Sequence, residues 1–367
     1  MIPDSAKARL KEHFNNYNLD RDKIRLISGS AENQTYSEKI ARLLNVDLTR
    51  CHWEKFKNDE TYVRIDEGVR SRDVYLIQNL EPPLDTRIME VLLFADAAKR
   101  GSAHKVSVIF PCLPYSRQDR ISEAREPISS KVLSKLFSTC GIDKVITIDL
   151  HANQIVGFYD DRIYIDNLPS STLFAQIMNQ CLIQKDEKYV IVSPDAGGTK
   201  RVERFAKLLH HDDVDIASMQ KKREKHNAVS SLKLVGNVKD RVAILYDDIL
   251  DTGGTLLKAA KVLLDEGAVK VHIATTHALL NGDSVERLAE YQTEGIISDI
   301  FITDSVRPNK EKYELIKKSG LKLHIINLKI LLADCIARIE TQNHLSPLHS
   351  YNYIDSLYHN ILPKCIK

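Results

Sequence analysis

A chain of 367 residues, 43% hydrophobic and 28% charged, is long enough for two domains of ordinary size and has the composition of a globular protein. Its 52 basic residues balance 50 acidic ones to a net charge of +2, which excludes a global field for nucleic acid or an anionic membrane, so any anion site must be a local cluster. The six cysteines form no CxxC pair, which argues against a disulfide scaffold or a cysteine zinc site and predicts a reducing, cytoplasmic setting; no apolar run reaches the roughly 20 residues of a membrane span.

Residues 1–22 carry acids early and lack a hydrophobic signal core, and they read as a partly helical extension. β-Branched runs then recur at 24–28, 73–78, 105–110, 144–150 and 189–193, and again at 242–246, 270–276, 299–303 and 322–327. Continuous apolar strands predict burial on both faces, as in parallel sheets. Helical patterns lie between them. "RIMEVLLFADAAKRG" (87–101) and "TLLKAAKVLLDEG" (255–267) both stop at a glycine, and the second sets Leu256, Ala260, Leu263 and Gly267 on one stripe. Alternating strands and helices predict an α/β fold, with ligands beyond the carboxyl ends of the strands.

An internal duplication is visible. "KVSVIFPCLPYSRQDR" (105–120) and "KYVIVSPDAGGTKR" (188–201) both run strand, proline, polar loop, basic residues. The chain therefore divides into an extension (1–22), a first lobe (23–166), a second lobe (167–328), a helix returning to the first lobe (329–343) and a tail (344–367).

"VAILYDDILDTGGTL" (242–256) is the most informative stretch. A strand feeds a turn that opens a helix, so the backbone N–H groups of Asp251, Thr252, Gly253, Gly254 and Thr255 would converge at a positive helix end. The threonines add hydroxyl donors, and the glycines permit close approach to an anion. The GK[ST] ending of a Walker loop is absent. Asp247 and Asp248 would repel a bare phosphate but can accept hydrogen bonds from sugar hydroxyls or hold a divalent cation. The implied ligand is a phosphorylated sugar. Upstream, Asp149 and His151 stand i and i+2 at a predicted strand end, which puts both on one side, a pairing suited to a Mg²⁺–nucleotide complex.

The loop at 247–255 resembles the ribose-phosphate loop of type I phosphoribosyltransferases and of the PRPP synthetases (ribose-phosphate pyrophosphokinases). "FKNDE" (56–60), "PYSRQDR" (114–120), "ITIDLHANQIVGFYD" (146–160), "SPDAGGTKR" (193–201) and "KKREKHNAV" (221–229) stand in the order and spacing of the PRPP synthetases, over residues 24–340. The resemblance implies two duplicated phosphoribosyltransferase-like, Rossmann-like lobes, each with a mainly parallel sheet flanked by helices. It implies transfer of the β,γ-diphosphoryl group of Mg²⁺–ATP to ribose 5-phosphate. Phe56 would stack on adenine with Asn58 and Glu60 reading its edge, across a subunit interface of a dimer or hexamer. Arg117, Gln118 and His151 would contact the ATP phosphates, and Lys221, Arg223 and His151 would be catalytic. Asp195 would join Asp247, Asp248 and residues 251–255 around the sugar phosphate. Asp149, His151, Asp195 and Asp160 would be placed near Mg²⁺, and inorganic phosphate would be an activator.

Departures from the family pattern fall at Ser122, Asn153, 159–168 and both termini, where regulation rather than catalysis is in question. Two competing readings are a phosphoribosyltransferase and a non-catalytic PRPP-synthetase-associated subunit. The first accounts for neither Phe56 and Arg117 nor Lys221 and Arg223. The second would lose catalytic residues, whereas Asp149, His151, Lys221, Arg223 and the 247–255 loop are all present.

Overall fold

The computed structural model describes residues 3–222, 231–361 and 364–366. The extension forms helix α1 (Asp4–Asn15). The first lobe follows as β1 (Ile24–Ser28), α2 (Gln34–Leu44), β2 (Cys51–Lys55), β3 (Thr61–Ile65), β4 (Asp73–Ile77), α3 (Leu84–Arg100), β5 (Lys105–Ile109), α4 (Ser129–Thr139), β6 (Lys144–Ile148) and β7 (Tyr164–Leu168). Its sheet runs β1-β4-β5-β6-β7 with every pair parallel. Helices cover both faces, so all five residues of β4 are buried, as its unbroken apolar run requires.

The second lobe comprises α5 (Ser171–Cys181), β8 (Tyr189–Ser193), α6 (Thr199–Ala206), β9 (Val214–Lys222), β10 (Ser231–Val235), β11 (Val242–Leu250), α7 (Gly254–Asp265), β12 (Lys270–Ala278), α8 (Ser284–Thr293), β13 (Ile300–Thr303), α9 (Lys310–Ser319) and β14 (Leu323–Ile326). Then come α10 (Lys329–Glu340), α11 (Tyr351–Tyr358) and β15 (Lys364–Ile366). The sheet order is β10-β9-β8-β11-β12-β13-β14-β15, antiparallel only at its two edges. No helix among the described residues is long and apolar enough to cross a membrane.

Three features differ from the sequence reading. The segment 51–65 is an antiparallel hairpin, β2–β3, with Asp59 at φ 69° in its turn. The first sheet gains β7, whose last residue, Leu168, lies just past the predicted lobe boundary. Strand β11 does not end at Tyr246. It runs on to Leu250 because β12 continues to pair with it, Leu250 against Ala278.

The carboxyl ends of the two sheets face each other across a seam. His277, near the end of β12, places Nε2 3.1 Å from the carbonyl oxygen of Ile148, the last residue of β6. Helix α10 packs beside α2, and Tyr75 of β4 donates to Glu340 at 2.7 Å.

Candidate active site

The far end of β11 carries two consecutive carboxylates into the seam. Asp248 is buried and Asp247 half-buried. Adjacent buried carboxylates repel, and the structure answers with one guanidinium. Arg201, in the first turn of α6, donates from Nη1 to Asp247 Oδ1 at 3.0 Å and to Asp248 Oδ1 at 2.9 Å. From the first lobe, His151 sets Nδ1 2.7 Å from Asp248 Oδ2. The Asp248 N–H also donates to Asp247 Oδ1 at 2.9 Å.

This geometry splits the two acids. Burial works to raise the Asp248 carboxyl, but the His151 hydrogen bond and the Arg201 charge outweigh it and hold it well below the usual range. Asp247 is pushed up, by burial first and then by the charge of Asp248. The hydrogen bond to Asp248 raises His151 against the opposing effect of burial. The site therefore offers one firmly ionised carboxylate beside one biased toward holding a proton, a pair able both to accept and to donate hydrogen bonds to sugar hydroxyls.

Beyond β11 the chain turns into α7. Gly253 takes φ 75°, a left-handed conformation that favours glycine, and the helix starts at Gly254. The Leu257 N–H bonds the Gly253 carbonyl, so the first-turn N–H groups before it have no intrahelical acceptor and point at the seam. Asp251 does not cap this helix. Its carboxylate receives Arg117 Nη1 at 2.6 Å from the first lobe and Asn281 Nδ2 at 2.8 Å. Arg117 is thereby held against the 251–255 turn, while Gln118 beside it is exposed.

The proposed metal set does not converge. Strand β6 ends at Ile148, and Asp149 takes φ 41°, so the i, i+2 argument for Asp149 and His151 fails. The Asp149 carboxylate is occupied by the Ser170 N–H at 3.1 Å, the Ser170 hydroxyl and the Thr276 hydroxyl at 2.7 Å. It joins the lobes instead of facing a cation. Asp160 bonds Ser138 and the Arg162 N–H. Ser138 lies on the last turn of α4, which leads into the start of β6, so Asp160 sits at the opposite end of the sheet from His151. Asp195 follows β8 at the correct edge; Oδ1 accepts the Gly198 N–H at 3.0 Å and Oδ2 has no hydrogen-bond partner among the described residues. No group of three or more potential ligands is assembled among the described residues. His151 Nε2 and Asp195 Oδ2 remain, which suits Mg²⁺ bound mainly by substrate phosphates and water rather than by a protein cage.

Phe56, Asn58 and Glu60 occupy the tip of the β2–β3 hairpin, with Phe56 50% exposed and edge-on to Tyr62 at 5.7 Å. No hydrogen bond, ion pair or ring contact among the described residues joins this tip to Arg117 or Gln118. Lys221 lies at the carboxyl end of β9, opposite Leu232 of β10, on the same edge as Asp195. Arg223 lies outside the described residues.

Sequence reasoning missed Arg201, although it stands in the quoted "SPDAGGTKR". It also missed Ser170, Thr276 and His277, which close the seam behind Asp149. The available signal was the polar "TTH" (275–277) near the end of β12, after the apolar Ile273 and Ala274. All three are buried despite their polarity.

Comparison with known proteins agrees with this arrangement. Residues 24–141 match the family model for the N-terminal domain of ribose phosphate pyrophosphokinase, and residues 215–350 match that of the phosphoribosyl synthetase-associated domain. The chain is 39% identical over 335 residues to ribose-phosphate pyrophosphokinase A of Dictyostelium discoideum, covering 90% of this chain and 98% of the relative. It is 36% identical over 331 residues to ribose-phosphate pyrophosphokinase of Fusobacterium nucleatum, covering 90% and 99%. The crystal structure of phosphoribosylpyrophosphate synthetase from Mycobacterium smegmatis superposes with TM-score 0.78 at 33% identity, over 88% of this chain and 100% of that one.

Proposed function

The chain belongs to the ribose-phosphate pyrophosphokinase family, and from that premise we propose how its seam makes 5-phosphoribosyl 1-diphosphate and AMP from ribose 5-phosphate and ATP. The observation that carries the assignment of roles is the Arg201-bridged Asp247–Asp248 pair set directly before the N-terminus of α7. The α7 N–H groups and the hydroxyls of Thr252 and Thr255 take the sugar's 5-phosphate. Asp247 and Asp248 bind the ribose hydroxyls and thereby orient the ring. The anomeric hydroxyl then faces the first lobe, where Arg117, Gln118 and His151 border the space for the ATP phosphates.

The anomeric oxygen forms a bond to the β-phosphorus as the bond from that phosphorus to the oxygen shared with the α-phosphate breaks. AMP leaves with that oxygen, and the hydroxyl proton is lost. Little covalent chemistry falls to the protein, so the rate comes from in-line positioning and from charge placed on phosphoryl oxygens. Lys221 and Arg223 supply such charge from the end of β9 onward. His151 and Asp195 would help hold the Mg²⁺ of the nucleotide complex, whose charge would neutralise phosphate oxygens.

Among the described residues no contact joins Phe56, Asn58 or Glu60 to their own Arg117, in keeping with an adenine site completed by a second copy of the chain, in dimers and hexamers. Activation by inorganic phosphate and a cytoplasmic setting belong to the same reading; the described cysteines are all free, in keeping with a reducing compartment. The test is direct. Purified protein given ribose 5-phosphate, ATP and Mg²⁺ should release AMP and the diphosphorylated sugar in equal amounts. No AMP across a range of phosphate concentrations would overturn the proposal.

A further inference from the structure

A second cleft opens where the two lobes meet, and neither Asp247 nor Asp248 is among its lining residues. Its volume is about 660 Å³, within the range of small-molecule sites. The first lobe contributes the start of α2 and the loop after β4; the second contributes the loop after β13 and the start of α9. Beside it, Leu80 and Val306 form an isolated parallel bridge between the two backbones, so anything bound there touches both lobes.

The wall holds a buried acceptor with no partner. Asn79 is fully buried; its Nδ2 donates to the Asp304 carbonyl at 3.1 Å, yet its Oδ1 has no hydrogen bond. Leaving such an oxygen unmade costs about 1–3 kcal/mol, so a donor arriving from the cleft is favoured. Around it the lining is largely apolar, from Pro82, Ile302, Val306 and the ring of Tyr313.

The charge balance at the rim is positive. Glu32 is paired with Arg87 at 2.8 Å, and Asp304 is paired with Lys329. Burial raises the Glu81 carboxyl toward its neutral form. Arg307 gives one N–H to the Glu32 carbonyl at 2.9 Å and forms no ion pair among the described residues; Lys310 is exposed at the first position of α9. Arg307 opposes the rise at Glu81, and the Asn309 side chain caps α9 by accepting the Lys312 N–H at 2.8 Å, so the charges of Arg307 and Lys310, and not the helix end, face a ligand.

We propose that this cleft is a second small-molecule site, distinct from the catalytic seam, which binds a flat aromatic anion carrying an N–H donor. The donor meets Asn79 Oδ1, the ring lies against the apolar walls, and the acidic group meets Arg307 and Lys310.

The probe is 1-anilinonaphthalene-8-sulfonate, which combines an aromatic body, one N–H and one sulfonate. The full chain should bind it saturably with one site per chain. Lys310→Glu, at an exposed position, should weaken binding about fivefold, the scale of one exposed charge contact. Val306→Trp, which fills the cleft, should abolish it. Saturating ribose 5-phosphate and ATP should not displace the dye. Binding that is absent in the natural chain, unchanged in Lys310→Glu, or displaced by either substrate would overturn the proposal. These outcomes are read by fluorescence and do not depend on turnover.

Discussion

Replacing Arg201 by methionine removes the one cation among the described residues that bridges Asp247 and Asp248, while keeping a long apolar stem in place. In the natural chain one guanidinium nitrogen lies 3.0 Å and 2.9 Å from the two carboxylates, and the arginine side chain is 23% exposed. Breaking a buried ion pair by deleting one partner costs about 3–5 kcal/mol, because the remaining charge is left desolvated. Here Asp248 is left ionised beside Asp247, which burial biases toward holding a proton, so a cost within that range is expected near pH 7. The pH dependence carries the sign. Asp248 is depressed in the folded protein, so its contribution is present above the unfolded carboxylate pKa, about 3.9, and is lost as pH falls through the folded value. In the variant, a proton on either acid relieves the repulsion. The destabilisation should therefore shrink markedly between pH 7 and pH 4, measured as urea midpoints with the slope held constant. Asp248→Asn in the Arg201→Met background should restore part of the loss, giving a coupling energy beyond about 1 kcal/mol. KM for ribose 5-phosphate should rise far more than KM for ATP. A loss of stability that is the same at pH 4 and pH 7, or additive with Asp248→Asn, would refute the bridging role.

Lys221→Ala should lower kcat by about 10²–10³, as for loss of a group that stabilises transition-state charge, with ATP binding by calorimetry nearly unchanged; a normal rate would remove Lys221 from the chemistry. Phe56→Ala should raise KM for ATP by about tenfold or more, the scale of one base-stacking contact, without changing the melting temperature, since the ring is 50% exposed; an unchanged KM would detach the hairpin from the nucleotide. Thr276→Val should cost about 1 kcal/mol in denaturant unfolding by deleting one donor to Asp149, and no loss would mean the Asp149 contacts carry no net stability.

The strands legible in the sequence are those buried on both faces, because only there does an unbroken apolar run follow from the fold. Strands β1 and β8 coincide with their predicted runs. The β2–β3 hairpin was hidden because its residues are half-buried or exposed, so neither strand carries an apolar run. The extension of β11 past Tyr246 was hidden for a different reason. Asp247 and Asp248 break the apolar pattern, and the decision to continue the strand belongs to pairing with β12. In the site, the turn proposed to take the phosphate was legible because its glycines and hydroxyls are contiguous. Arg201 was not, because it stands on α6 while its partners lie on β11, and no local pattern marks a guanidinium as buried. Asp149 was misplaced because a positive φ at the strand end redirects its carboxylate to Ser170 and Thr276, which alternation alone does not foresee.

The terminal segments gain a physical role from one buried acid. The Asp334 side chain on α10 is fully enclosed and accepts from His13 Nε2 at 2.6 Å, Tyr17 at 2.7 Å, Tyr353 at 2.8 Å and Arg338 Nε at 2.9 Å. His13 and Tyr17 belong to the amino-terminal extension and Tyr353 to α11, so α10 clamps both ends of the chain through one carboxylate. Apolar packing agrees: Leu10 and Phe14 of α1 share a core with Ile354 and Leu357 of α11. Burial opposes the charge on Asp334, but the hydrogen bonds and Arg338 prevail and lower its carboxyl. Its contribution is therefore present above about pH 3.9, the unfolded value, and is lost as pH falls through the folded one. Asp334→Asn should cost about 3 kcal/mol near neutral pH and release α1 to faster amide exchange. The site at Asp247 and Asp248 lies on other elements, so the same variant should keep its KM for ribose 5-phosphate. A rise in that KM with α1 still protected would show that this clamp reports on the catalytic seam and is not a structural tie between the termini.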